Sequence, residues 1–205
     1  YDDVVELSAE DRAKLSRAPF NLEEYKEFLD IKEVKGEAGY SSLERTGIRP
    51  CLDVNGIWGG YTGEGAKTVL PSVAHAKISM RLVPNQDSAT ITRLFTEHFL
   101  AIAPDYVKVE VTPHHGGDGF LIPISSPAYK AAEKAMTEVY GIEPVPSRGG
   151  GSIPILADLQ RILEIDPLLM GFGLERDTIH SPNESYLLKQ LFAGMEAIAL
   201  FYRYY

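Results

Sequence analysis

The sequence predicts an α+β chain in two parts: a sheet with helices on one face over residues 1–118, which would be a ferredoxin-like unit if a strand and helix precede it, and a helix-rich part over residues 119–205. Three observations carry this. Val73–Val83 alternates, with Ala74, Ala76, Ile78, Met80 and Leu82 on one face and His75, Lys77, Ser79 and Arg81 on the other, the period of a strand. From Ser88 the period becomes helical, with Ile91, Leu94, Phe95, His98 and Ile102 in one stripe. Pro113-His-His-Gly-Gly-Asp-Gly119 then breaks both patterns and sets the boundary near Gly119.

The other elements follow in order. Ser8, with an acid three positions on, opens a first helix in the manner of a capping box. Asn21 opens a second, through Leu29, with Leu22, Tyr25 and Phe28 on one side. Gly36–Gly47 reads as a loop, Cys51–Ile57 as a short strand, and the glycine-rich Gly56–Gly65 as a loop or bulged turn. Asp105–Thr112, with Val107, Val109 and Val111 inward, is expected as a further strand. Strand, strand, helix, strand makes a sheet with helices on one face. The second part is expected to hold a helix over Pro127–Tyr140, a glycine turn at Arg148–Ser152, a helix over Ile153–Leu163 and a buried strand at Leu168–Phe172. A final helix follows, with the stripe Leu188, Leu191, Phe192, Met195, Ile198, Ala199 and Tyr202. That stripe needs a partner layer, and a part with one or two strands is a thin basis for a complete core.

Composition narrows the function. In 205 residues, 44% are hydrophobic and 24% charged, which excludes disorder for the bulk of the chain. Lys+Arg 20 against Asp+Glu 29 gives a formal charge of −9, with no basic run, so nucleic acid is not an expected partner. The longest apolar stretch, near Ala197–Tyr202, is far short of the roughly 18 residues of a membrane span. The acidic opening residues do not read as a signal peptide. Cys51 is the only cysteine; it allows no internal disulfide and no cysteine-based zinc site, and it fits a reducing, cytoplasmic setting.

Four segments carry chemistry. Gly60–Thr68 invites a phosphate-loop reading, but Ala66 separates Gly65 from Lys67 and extended chain follows, so nucleotide binding fails there. What remains is a glycine-rich connection, or a close backbone approach to a ligand with the Thr68 hydroxyl beside it. Arg81, on the polar strand face, is either a solvated arginine or a fork for a substrate carboxylate. Arg148 is followed by Gly149, Gly150, Gly151 and Ser152. This is either an ordinary capped turn, with Ser152 as N-cap, or an anion cradle of converging N–H groups. His180-Ser-Pro-Asn-Glu184 places a loop histidine beside Asn and Glu, as a metal ligand, an acid–base group or a plain loop residue. His114 and His115, before two glycines, stand out more than His75 or His98. No His-Glu-x-x-His, Cys-x-x-Cys or Gly-x-Ser-x-Gly pattern occurs.

Together these segments resemble one family. Gly63-Glu-Gly-Ala-Lys-Thr-Val-Leu-Pro71, Lys77-Ile-Ser-Met-Arg-Leu-Val-Pro-Asn85, His115-Gly-Gly, Arg148-Gly-Gly-Gly-Ser-Ile-Pro154 and His180-Ser-Pro-Asn-Glu184 are similar, in order and spacing, to the C-terminal half of the dinuclear-zinc metallopeptidases and deacylases. That family includes carnosinase, cytosolic nonspecific dipeptidase and acetylornithine deacetylase. The resemblance implies that His180 ligates one of two divalent metals, zinc or in its place manganese or cobalt. It implies that Thr68, Arg81 and Ser152 bind substrate, with Arg81 on its carboxylate. His115 lies near the domain junction, and Arg148, Gly150 and Gly151 belong to the substrate-facing loop.

The resemblance also implies that residues 1–118 are a lid through which the protein forms a homodimer, with its first strand missing, and that residues 119–205 close an α/β catalytic domain. The family's remaining ligands and catalytic glutamate have no counterpart here, so no catalytic residue is assigned within the chain, and it is expected to be inactive alone. Gly149 stands where carnosinase-like relatives often carry Glu. The expected activity of the full-length protein is hydrolysis of a dipeptide by metal-activated water. The alternatives are a deacylase of N-acyl amino acids, or a non-catalytic binding and dimerisation module.

Overall fold

The structure, a computed structural model, describes residues 1–149, 153 and 155–205, and of Glu175 the backbone. The chain divides into two units. One comprises Tyr1–Glu6, Phe20–Gly119 and Arg148–Pro154, the other Leu7–Pro19, Phe120–Ser147 and Ile155–Tyr205. The division falls at Gly119, but two exchanges accompany it. Residues 7–19 go with the second unit, and the segment from Arg148 returns to the first.

The first unit holds α2 (Leu22–Phe28), α3 (Ser42–Gly47), β1 (Cys51–Gly59), β2 (Ala74–Arg81) and α4 (Ser88–Ile102); α1 (Ala9–Leu15) precedes them in the chain and belongs to the second unit. Ser8 caps α1, its hydroxyl accepting from Asp11 N–H at 3.1 Å. Asn21 caps α2, its amide oxygen accepting from the N–H groups of Glu23 and Glu24. Helix α3 corrects the expectation of a loop throughout Gly36–Gly47. Ser41 and Glu44 form a reciprocal capping box: the Ser41 hydroxyl accepts from Glu44 N–H at 3.3 Å, and the Glu44 carboxylate from Ser41 N–H at 2.7 Å. The glycines at either end obscured this start signal.

β1 and β2 pair antiparallel, from Cys51 opposite Arg81 to Gly59 opposite Ala74. β1 therefore takes in Gly56 and Gly59, which the sequence placed in a loop. A bulge between Val54 and Gly56 admits one extra residue, Asn55. This changes the parity of the strand: Leu52 and Val54 before it and Ile57 after it lie opposite Met80, Ile78 and Ala76, so one apolar face runs unbroken. The opposite face carries Cys51, Asp53, Trp58, His75, Lys77, Ser79 and Arg81.

The strand expected at Asp105–Thr112 is absent: β1 and β2 are the whole sheet among the described residues. The alternation of valines is real, and Val109 and Val111 are half-buried, but a strand is defined by a ladder, and no backbone partner lies alongside. The described first unit therefore supplies two strands and a helix of a ferredoxin-like arrangement, without the third strand.

The second unit adds α5 (Pro127–Tyr140), α6 (Ile155–Leu163) and α7 (Leu188–Tyr204) to α1. α5 runs over the expected residues because both ends are encoded: Ser126 caps it with Pro127 at N1, and Gly141 closes it at φ 71°. α5 and α7 pack through small residues. Ala131, Ala132 and Ala135 of α5 are buried, as are Gly194 and Ala197 of α7, with Ala135 and Ala197 at 0% exposure. The stripe of large residues expected to form the buried face of α7 lies elsewhere on the helix and is exposed, from Leu188 at 68% to Tyr202 at 74%. The strand expected at Leu168–Phe172 is also absent. Leu168 and Phe172 are half-buried, and the Phe172 ring lies against α7, where a Cβ on Gly194 would come within 3.1 Å of it.

Candidate functional site

In the first unit, two of the expected residues belong to the hairpin. Arg81 ends β2 on the polar face, opposite Cys51. Along the same face, Trp58 stacks on His75 with centroids 4.9 Å apart, and Lys77 Nζ stands 6.0 Å from the Trp58 ring centroid. This face is cationic in a chain of net negative charge, which suits an anionic group. Thr68 is exposed in the connection from Gly59 to Ala74. That connection turns at Gly60 (φ 74°) and Gly65 (φ 82°), both left-handed. Within it the Tyr61 hydroxyl donates to the Glu64 carbonyl at 3.0 Å, and Lys67 lies over the Tyr61 ring. Thr68 thus lies in the connection that joins the strands beyond Gly59 and Ala74, and Arg81 closes the far end of the ladder.

His115 is exposed, in a segment pinned to the start of α4. The Asp118 carboxylate accepts from Ser88 N–H at 2.8 Å, and a Cβ on Gly116 would come within 2.9 Å of the Ser88 Cβ. Asp87 caps the same helix, accepting from Thr90 N–H; hydrogen bonding from the Thr90 hydroxyl and then from its N–H holds the Asp87 carboxyl below the usual range. A groove of about 580 Å³ follows α4 from Ser88 to Glu97. It is His114, with Arg93, that lines this groove, rather than His115.

Arg148 is positioned by an element the sequence reading missed. Gly47, the last residue of α3, lies so close beneath its backbone that a Cβ there would overlap the Arg148 carbonyl oxygen. The next residue but one, Arg49, is buried and organises the start of the unit. Its fork takes both Glu37 oxygens, at 2.7 and 2.6 Å, and Glu6 at 2.8 Å, and the Tyr40 ring stacks on it at 4.4 Å. Hydrogen bonding to Arg49 holds the Glu37 carboxyl low, and hydrogen bonding to Glu6 pushes the Tyr40 phenol up. The signal for α3 was the Ser41-x-x-Glu44 box. Ser152, Gly150 and Gly151 lie outside the described residues.

In the second unit, His180 is exposed on the loop between the 3-10 turn Glu175–Asp177 and α7. The chain turns sharply there: Thr178, His180 and Asn183 have φ of 50°, 62° and 63°. Ser185 N–H donates to the Asp177 carbonyl at 3.0 Å and closes the loop. His180 therefore stands on a closed, projecting turn. Asp177 is almost wholly buried under that turn, with one carboxylate oxygen unpaired among the described residues.

No group of three metal-ligating side chains occurs among the described residues. Two divalent metals need several ligands each, and the described residues do not bring such a set together around His180.

The chain belongs to peptidase family M20/M25/M40, whose pattern it matches over residues 17–204. It is 30% identical to the Cys-Gly metallodipeptidase of Saccharomyces cerevisiae, over 98% of this chain and 43% of that protein. It is 28% identical to the human Beta-Ala-His dipeptidase, over 98% of this chain and 40% of that protein. In fold it matches an M20 family metallo-carboxypeptidase from Sulfolobus solfataricus with a TM-score of 0.87 and 29% identity, covering 100% of this chain and 46% of that one. The chain thus spans less than half the length of the relatives it matches. A mixed α/β fold of the M20 type follows, with divalent metal chemistry as the family's trade. No described helix is long and apolar enough to cross a membrane.

Proposed function

We propose that this chain is the lid and the closing part of the catalytic domain of a dinuclear metal-dependent dipeptidase. The match of nearly the whole chain to proteins named as dipeptidases supports this reading most. In it, His180 holds one of two metals, zinc or in its place manganese or cobalt. Arg81 takes the substrate carboxylate, where a planar fork suits a carboxylate better than an ammonium would. The Thr68 hydroxyl and the loop of Arg148, Gly150, Gly151 and Ser152 contact the rest of the substrate, with His115 near the domain junction. When bound, the metal lowers the pKa of its water to about 7 and supplies hydroxide for attack on the amide. The residues of this chain bind and orient; the proton-shuttling carboxylate lies outside it. The setting is cytoplasmic.

The resemblance to the family adds a homodimer through the lid, with Thr68 and Arg81 serving the site of their own copy or that of its partner. An N-acyl amino acid offers the same carboxylate and amide, and Gly149, lacking a side chain, leaves room for a different acyl group. A non-catalytic binding and dimerisation module is favoured by one observation, the lack of a three-ligand cluster among the described residues.

The test is metal content and hydrolysis of Cys-Gly and β-Ala-His by the full-length protein and its His180→Ala variant. Metal occupancy and turnover are expected to fall together, while residues 1–205 alone turn over neither dipeptide. Unchanged metal content in the variant overturns the ligand assignment.

A further inference from the structure

The turn that presents His180 is built on one buried acid. Asp177 is 1% exposed. Its Oδ2 accepts from Leu174 N–H at 2.7 Å, and its carbonyl accepts from Ser185 N–H at 3.0 Å, on the far side of His180. Thr178 adds a second tie across the loop, its hydroxyl donating to the Asn183 carbonyl at 3.3 Å. Gly173 gives the acid its space: a Cβ there would stand 3.8 Å from Oδ2 and 3.1 Å from Ile179 Cδ1. The remaining oxygen, Oδ1, is buried and has no hydrogen-bond partner among the described residues. Removing a carboxylate oxygen from water without giving it a donor is costly. An apolar residue would fill the space without that cost, and an asparagine would still serve Leu174. Neither Leu174 nor the turn requires a negative charge.

The missing partner is a donor. A neutral imidazole that gives one nitrogen to a metal keeps a hydrogen on the other. A ligating histidine almost always donates that hydrogen to a carboxylate or carbonyl, which fixes the ring's tautomer and direction. His180 lies three residues beyond Asp177, at a left-handed φ that bends the chain back.

We propose that Asp177 is the positioning residue for His180: its unpaired oxygen accepts the N–H of the imidazole whose other nitrogen holds a metal. This rests on the reading of His180 as a ligand.

The experiment uses the full-length protein, stripped of metal and titrated with zinc against a chelating dye, as wild type, Asp177→Asn and His180→Ala. Asp177→Asn is expected to bind zinc 10–100-fold more weakly while its metal-free melting temperature stays the same or rises, because a buried unpaired charge has been removed. A purely structural Asp177 gives the reverse, a lower melting temperature with zinc affinity unchanged, and that result overturns the proposal. If His180→Ala loses zinc and Asp177→Asn does not, the positioning role fails alone. If His180→Ala binds zinc normally, the ligand reading fails and takes this proposal with it.

Should Asp177→Asn not fold, the wild-type protein decides through the ¹⁵N resonances of the His180 ring. A ring N–H slowed in exchange on zinc loading is the expected result, and a freely exchanging one overturns the proposal.

Discussion

The α5/α7 pair and the β1/β2 hairpin hold together in opposite ways. The helices are joined by side chains: alanines fit so closely that Ala135 and Ala197 have no exposed surface. The strands are joined by backbone, with a ladder from Cys51 to Gly59, while side chains on the apolar face such as Ile57 remain 78% exposed. A small-residue seam fails when atoms are added, because a close-packed contact has nowhere to put them. A ladder is indifferent to what its side chains do until something covers them.

The sharpest way to break this contrast is to enlarge the seam. Ala135→Leu or Ala197→Leu should cost about 1–3 kcal/mol of stability by overpacking, read as a lower urea midpoint. Ile57→Ser should change stability by no more than about 0.5 kcal/mol, as at an ordinary surface site. A loss at Ile57 as large as at Ala135 means the hairpin face is covered in the working protein.

Next in size is Gly47→Ala. A Cβ there overlaps the Arg148 carbonyl, so the loop must move, and substrate KM should rise several-fold with little change in melting temperature. An unchanged KM detaches α3 from the site.

A smaller effect separates the charged clasp of the first unit from the uncharged seam of the second. The Glu37 pKa lies below its unfolded value of about 4.3 because Arg49 hydrogen-bonds the carboxylate. The clasp is therefore intact above that value and loses its contribution as pH falls through the lower, folded one. Hydrogen-exchange protection in residues 1–6, corrected for the intrinsic slowing of exchange in acid, should fall below about pH 4, and Arg49→Lys, which loses the fork, should flatten the step. The smallest effect is at Cys51, whose thiol is pushed up by burial and then by Asp53. Alkylation near neutral pH should be slower than for a free thiol, and Asp53→Asn should speed it modestly.

Legibility followed the same divide. Elements whose signals are local were readable: α5 between Ser126 and Gly141, α4 by its stripe, and β2 by its alternation. Asp105–Thr112 and Leu168–Phe172 were misread because their apolar pattern is right but a strand also needs a neighbour, which no single segment encodes. For α7, hydrophobicity pointed to the large stripe, whereas the buried positions are Ala197 and, under the Phe172 ring, Gly194, whose value is their smallness. At the candidate site, Thr68, Arg81, Arg148 and His180 were readable as residue types. The support of Arg148 by Gly47 and the buried acid beneath His180 were not, because each depends on chain segments meeting through the fold.

The bulge at Asn55 lets β1 carry one residue more than its partner without exchanging its faces. Deleting Asn55 would leave plain alternation through Val54, Gly56, Ile57 and Trp58, with Ile57 still on the apolar side and Trp58 still on the polar one. Straightening the strand with Asn55 in place would do the opposite and exchange the two faces of everything beyond it. Descendants of this sequence should therefore tolerate the loss of Asn55 better than the loss of the bend that accommodates it.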